Sequence, residues 1–208
     1  MDLESIYQNV ITGQAPAVQE KVRSAIEAGI SPETILKQGL IKAMDEVGRL
    51  FEAGEYYVPE MLVAARAMQA GLQVLKPYLA DQEVHSAGKI AIGTVKGDLH
   101  DIGKNLVGMM LEGAGFEVVD LGVDVTAESF ARAVESGVQV IGMSALLTTT
   151  MGNMQRTIDH LVEKGLRERI KVIVGGAPVT DEYARQIGAD AYAPDVSSAA
   201  RAVRQLVQ

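Results

Sequence analysis

The chain has 208 residues, 48% of them hydrophobic, enough for one domain or two small ones with a proper core. A formal net charge of -8 argues against a nucleic-acid footprint, which needs a basic patch. The lack of cysteine excludes disulfides, zinc ribbons and thiol catalysis and suits a reducing compartment, while aromatics at 4% and no tryptophan leave no stacking platform for sugars or bases.

The opening segment MDLESIYQNVITGQ is acidic and polar, with no apolar signal core. No apolar run approaches the ~20 residues that span a bilayer, so a cytoplasmic protein without membrane contact is expected. Through residue 79, apolar residues recur at three and four, as in Ile35, Leu36, Leu40, Ile41, Met44, Val47 and Phe51. That period predicts helices with one buried stripe. Ser31-Pro32-Glu33 reads as a helix start: a serine cap, a proline in the first turn and an acid beside the dipole. Pro16 and Pro59 mark two more starts, and Gly13, Gly29 and Gly54 sit in breaks. Four helices are expected, forming a small bundle over residues 1–80.

Residues 81–88 are polar and without periodicity, and are expected to be a linker. From 89 to 208 the rhythm changes. Short apolar runs (KIAIGTV, GFEVVDLGV, VQVIGMSA, IKVIVGGA, ADAYAP) alternate with helical stretches at 101–113, 127–136, 151–164, 181–187 and 196–207. Five strands alternating with five helices predict an α/β domain whose parallel sheet is covered on both faces. Right-handed crossovers and short loops favour the flavodoxin-like (Rossmann-like) order 2-1-3-4-5.

In such a sheet, ligands bind beyond the carboxyl ends of the strands. The unusual residues cluster there: Lys96-Gly97-Asp98-Leu99-His100-Asp101-Ile102-Gly103 after the first strand, Ser144 to Thr150 after the third, and Gly175-Gly176-Ala177-Pro178 after the fourth. Neither phosphate-loop pattern fits. Gly97 and Gly103 are separated by five residues rather than four, Asn105 stands where a magnesium-holding hydroxyl belongs, and G-x-G-x-x-G is missing. A metal reading does better. An imidazole ligand normally donates its other nitrogen to a carboxylate, and Asp98 lies two residues before His100. The other histidines, His85 and His160, are remote in sequence, so a metal at His100 needs a cofactor that brings the remaining ligands.

Asp98-x-His100-x-x-Gly103, Ser144-x-Leu146 and Gly175-Gly176 resemble, in order, the D-x-H-x-x-G, S-x-L and G-G motifs of cobalamin-binding domains. The helical half, through Val47-Gly48-Arg49-Leu50-Phe51-Glu52 and Val58-Pro59-Glu60-Met61, resembles the cap module that accompanies them. The likeness covers nearly the whole chain. It points to the corrinoid proteins of methanol, methylamine and methoxyarene methyltransferase systems and to the cobalamin-binding region of methionine synthase. The resemblance implies residues 1–80 as cap, 81–88 as hinge and 89–208 as the cobalamin-binding domain. It makes His100 the lower axial cobalt ligand, with Asp98 on its far nitrogen and Thr150 extending the relay; the family often has serine at that last position. Ser144 and Leu146 would line the slot for the nucleotide tail, with Thr148 in the same loop. Gly175 and Gly176 would let the tail pass near the backbone, and Phe51, Val58 and Met61 would cover the upper corrin face.

The implied function is a methyl shuttle cycling between methyl-Co(III) and Co(I). A substrate:corrinoid methyltransferase would load it, and a second methyltransferase with a tetrahydrofolate or thiol acceptor would unload it. A reductive activase would restore cobalt after accidental oxidation. The chain then serves as a component of an enzyme system, with no catalytic residue of its own. Rival readings are a cobalamin-dependent sensor, which lacks a basic DNA-binding module here, a mutase small subunit, which the cap disfavours, and a flavodoxin-like domain for another ligand. Plainer readings stand beside individual residues: the glycine pair as an ordinary turn, Thr148 to Thr150 as a helix cap, Asp101 as an N-cap, and Phe51 as core.

Overall fold

A computed structural model of the chain describes residues 3–79 and 87–207. These fall into two compact units. The expected linker lies at residues 81–86 outside the described residues, and so does His85.

The helical unit holds four rods: α1 (Leu3–Ile11), α2 (Ala15–Glu27), a continuous rod made of α3 (Pro32–Thr34), a π-helical stretch (Ile35–Ile41) and α4 (Lys42–Glu52), and α5 (Val58–Leu79). The starts are those expected from the sequence. The Ser31 hydroxyl accepts from Thr34 N at 3.2 Å, and Pro32 follows it. Gly13, Gly29 and Gly54 end the first three rods with φ of +71°, +80° and +71°, where a side chain would strain the backbone. The predicted stripe is the core: Ile35, Leu40, Met44, Val47, Met61, Met68 and Leu75 are buried. The π-helical stretch does not show in the three-and-four spacing. It places Gly39 where an added Cβ would meet Ile6 Cγ2 at 3.0 Å, so α1 packs close to the widened turn.

The second unit carries β1 (Lys89–Thr94), α6 (Ile102–Gly113), β2 (Glu117–Asp120), α7 (Ala127–Glu135), β3 (Val140–Ser144), α8 (Thr148–Glu163), a 3₁₀ turn (Arg167–Arg169), β4 (Lys171–Gly175), α9 (Asp181–Gln186), β5 (Ala191–Ala193) and α10 (Val196–Leu206). All strand pairs are parallel and the order is 2-1-3-4-5, as predicted. Strand alternation divides the sheet into two faces. Ala91, Ile141, Met143, Val172 and Val174 pack with Phe130, Met154, Ile158 and Leu161 in a closed core under α7 and α8. Ile90, Ile92, Gly142, Ser144, Ile173 and Gly175 face the other way, toward α6 and α10. At the carboxyl edge, one rung runs Thr94–Ser144–Gly175–Ala193, all small residues.

α8 begins at Thr148, three residues before the predicted Met151. The three threonines therefore form its first turn rather than a cap. Leu147 holds the N-cap position without a side-chain bond. Asp101 does stand at the head of α6, since its carbonyl accepts from Asn105 N at 2.8 Å.

Candidate functional site: a buried carboxylate, one imidazole and a deep slot

After β1 the chain enters a loop that is tied down along its length. Val95 bridges Val125 in parallel fashion. Gly97, at φ +84°, donates its N–H to Asp124 Oδ1 at 2.7 Å, and Asp124 N–H returns to Asp98 O at 3.0 Å. Asp124 adopts φ +54°, the only non-glycine among the described residues with positive φ. Asn153 Nδ2 donates to Lys96 O at 2.7 Å, and the Thr94 hydroxyl donates to His100 O at 2.9 Å. At the head of α6, the Lys104 ammonium is buried and meets both Asp120 oxygens and Asn105 Oδ1, each at 2.6 Å.

This frame buries the Asp98 side chain completely. Five donors reach its two oxygens. Oδ1 takes His100 Nδ1 at 2.7 Å and His100 N at 3.1 Å. Oδ2 takes Leu146 N at 2.8 Å, Leu147 N at 3.2 Å and the Thr150 hydroxyl at 2.7 Å. Burial pushes the carboxyl upward. The bonds from Thr150, His100 and the backbone outweigh it and hold Asp98 well below the usual carboxylate range. An ionised carboxylate only accepts, so His100 Nδ1 carries a proton, and in the neutral imidazole Nε2 keeps its lone pair. Nε2 has no partner among the described residues, and the His100 ring is 51% exposed. Leu99 and Ile102 beside it are 71% and 78% exposed, and Leu146 and Leu147 are also exposed. An accessible imidazole lone pair thus sits amid uncovered apolar surface.

Beside this imidazole a cavity of about 640 Å³ opens between the sheet and helices α6 and α10. Its walls come from Ile92, Gly142, Ser144 and Gly175 on the sheet and from Gly103 and Val107 on α6. An added Cβ at Gly103 would meet nothing within 4 Å.

The sequence-predicted residues therefore divide. Asp98, His100, Leu146 and Thr150 form one bonded cluster. His100, Gly103, Ser144, Leu146, Gly175 and Gly176 line the cavity. Thr148 is exposed on α8 and joins neither group. Phe51, Val58 and Met61 stand where α4 ends and α5 begins; Phe51 is half-buried, Val58 exposed and Met61 buried. Gly176 has a local reason to be glycine beyond the ligand. Its φ is +127°, and a Cβ there would fall 1.9 Å from Ala145 O. The sequence reading missed Thr94, Asp124 and Asn153, which hold the loop. None of the three stood out in the sequence: Thr94 sits inside a run read as strand, Asp124 stands between Val123 and Val125 just past another, and Asn153 lies within a predicted helix.

Residues 88–204 match the B12 binding domain family, and residues 2–76 match a second family of the same description. The chain belongs to the B12-binding corrinoid proteins. Its cofactor is cobalamin or a related corrinoid. Among its relatives, dimethylamine corrinoid protein 3 of Methanosarcina acetivorans is 42% identical over 99% of both chains. Trimethylamine corrinoid protein 1 of the same organism is 46% identical over 88% of both. A chain of the methanol:cobalamin methyltransferase complex MtaBC of Methanosarcina barkeri superposes with a TM-score of 0.85 and 30% identity, over 97% of this corrinoid protein and 78% of that chain. No helix among the described residues is long and apolar enough to cross a membrane.

The site fits the group. A corrinoid would bring most of the cobalt ligands itself, so the protein would need to offer one nitrogen donor, an apolar bed and room for the nucleotide tail. His100 Nε2, the exposed Leu99 and Ile102, and the cavity lined by Gly103 would supply them.

Proposed function

We propose that this corrinoid protein carries methyl groups between two methyltransferases, binding its cofactor with the lower base displaced and His100 Nε2 on cobalt. The observation that supports this most is the Asp98–His100 pair, which fixes the proton on Nδ1 and leaves Nε2 free. When bound, the corrinoid supplies a cobalt that accepts and releases a methyl group. The protein orients the imidazole through Asp98, and Thr150, Leu146 and Leu147 hold that carboxylate ionised. Ser144, Leu146, Gly103, Gly175 and Gly176 receive the tail. Residues 1–80 act as the cap, with Phe51, Val58 and Met61 shielding the methyl-bearing side, residues 81–88 act as the hinge, and residues 89–208 hold the cofactor.

One partner loads the methyl group from a methylated substrate, the second delivers it to tetrahydrofolate or a thiol, and a reductive activase restores oxidised cobalt. Similar chains carry names for dimethylamine, trimethylamine and methanol systems, which supports a donor chosen by the loading enzyme. The test is to load the purified protein with methylcobalamin, pass it through a desalting column and add a corrinoid:acceptor methyltransferase. Retained corrinoid with methyl loss matched to acceptor methylation is expected. Absence of retained corrinoid contradicts the reading, and a light-triggered change of oligomeric state without methyl transfer would favour a sensor.

A further inference from the structure

The slot has a polar mouth and an apolar floor. Gly103, Val107 and Leu111 line it on successive turns of α6, spanning about 12 Å at 1.5 Å per residue. Val196, Ala199 and Val203 line it in the same sense along α10. Each polar side chain among the described lining residues belongs to the mouth. His100 and Asp101 precede α6, Lys104 is in its first turn, Ser144 ends β3 and Asp195 caps α10. The floor is Ile90, Val107, Leu111, Ile173, Ala199 and Val203. The strands there are paired on both sides: Ile90 stands opposite Val118 and Val140, and Ile173 opposite Gly142 and Ala191. Their backbone groups are used in the ladder, and those of α6 and α10 within the helices.

We propose that this floor selects among corrinoids by the base at the end of the tail, favouring benzimidazole or phenolic bases over adenine. The proposal rests on the corrinoid reading above and names which members of that class the slot takes. Adenine brings an exocyclic amine and several ring nitrogens. Benzimidazole keeps one free ring nitrogen when displaced from cobalt, and a phenolic base presents an almost wholly apolar ring. A polar group moved from water into a floor of isoleucine, valine and leucine loses its hydrogen bonds without replacement. The adenine form is therefore about tenfold or more weaker in binding, from one unmatched group alone.

The experiment titrates cofactor-free protein with cobamides that share corrin and nucleotide loop and differ only in lower base: dimethylbenzimidazole, p-cresol and adenine. Cobinamide, which lacks the nucleotide, completes the set. Dissociation constants are read by calorimetry. The p-cresol form is expected to bind at least as tightly as the dimethylbenzimidazole form, and the adenine form about tenfold or more weakly than the latter. Val107→Thr and Val203→Thr each add a hydroxyl at nearly constant volume, satisfied by the preceding helical turn when unused. Either is expected to narrow the gap, and two variants guard against one that folds poorly. Equal affinity for all three bases overturns the selectivity while leaving the corrinoid reading intact. Cobinamide binding as well as the full cofactors shows that the tail does not enter the slot and overturns the proposal too. A gap that neither threonine variant changes overturns its assignment to this floor. Failure of every corrinoid to bind, cobinamide included, overturns the functional reading itself.

Discussion

Asp98→Asn tests the cluster most sharply, because five donors converge on two oxygens and an amide offers only one. If the amide oxygen stays toward Leu146, Leu147 and Thr150, the new NH₂ faces His100 N and Nδ1. The backbone N–H then loses its acceptor. Nδ1 must accept, so the ring proton moves to Nε2 and the lone pair proposed for cobalt is lost. The flipped amide sets NH₂ against three donors and is worse. A charge-assisted bond is worth about 1.5–3 kcal/mol and a stranded buried N–H costs about 1–3 kcal/mol. Allowing for overlap between the two, the variant loses roughly 2–4 kcal/mol. Urea denaturation of the cofactor-free protein at neutral pH reads this directly. The folded carboxyl titrates below its unfolded value near ~3.9, so its contribution is complete above that value. It fades as pH falls through the lower folded value. The gap between wild type and variant is thus constant from about pH 5 upward and narrows below about pH 4. Nitrogen-detected NMR of the ring should show the proton on Nδ1 in wild type and on Nε2 in the variant. Unchanged stability at neutral pH together with an unchanged tautomer would refute the reasoning.

Three further outcomes are expected. Thr150→Val removes one donor from Asp98 Oδ2 and lowers urea stability by about 1–2 kcal/mol, whereas Thr150→Ser retains most of it; equal losses would make the methyl, not the hydroxyl, the important part. Gly103→Leu projects into open space and should fold normally while weakening corrinoid binding about tenfold or more. Gly176→Leu drives atoms into Ala145 O and should lose the fold itself, so circular dichroism separates the two. Asp124→Ala should cost about 1–3 kcal/mol through left-handed strain and the lost bond to Gly97. Asp124→Gly restores only the backbone, and Asp124→Asn most of both. A ranking in denaturation midpoint other than Asn above Gly above Ala would remove Asp124 from its positioning role.

The sheet order was legible because five β-rich runs alternate with helical stretches, and short parallel crossovers leave few topologies open. The helix starts were legible because serine and proline act locally, as Ser31 and Pro32 show. The start of α8 was not, because three consecutive threonines after the third strand read as loop or cap. They are helical here with Thr150 turned inward onto Asp98. His100 and Asp98 stood out as a short-range pair set among glycines. Thr94, Asp124 and Asn153 did not, because they reach the loop from separate elements that only the fold brings together. Gly176 was noticed but for an incomplete reason: its sequence context announces a ligand, while its position against Ala145 O is set by the protein itself. The slot's apolar lining was hidden for a similar reason, since Ile92 and Ile173 are ordinary strand residues until Gly142, paired with both, opens space.

Electron paramagnetic resonance of the protein loaded with Co(II) cobalamin and grown on ¹⁵N-histidine tests the ligation most directly. Nitrogen splitting in the cobalt signal should change from a triplet to a doublet on labelling and vanish in His100→Ala. A triplet that persists on labelled histidine would mean that the cofactor's own base remains on cobalt, contrary to the assigned role of His100.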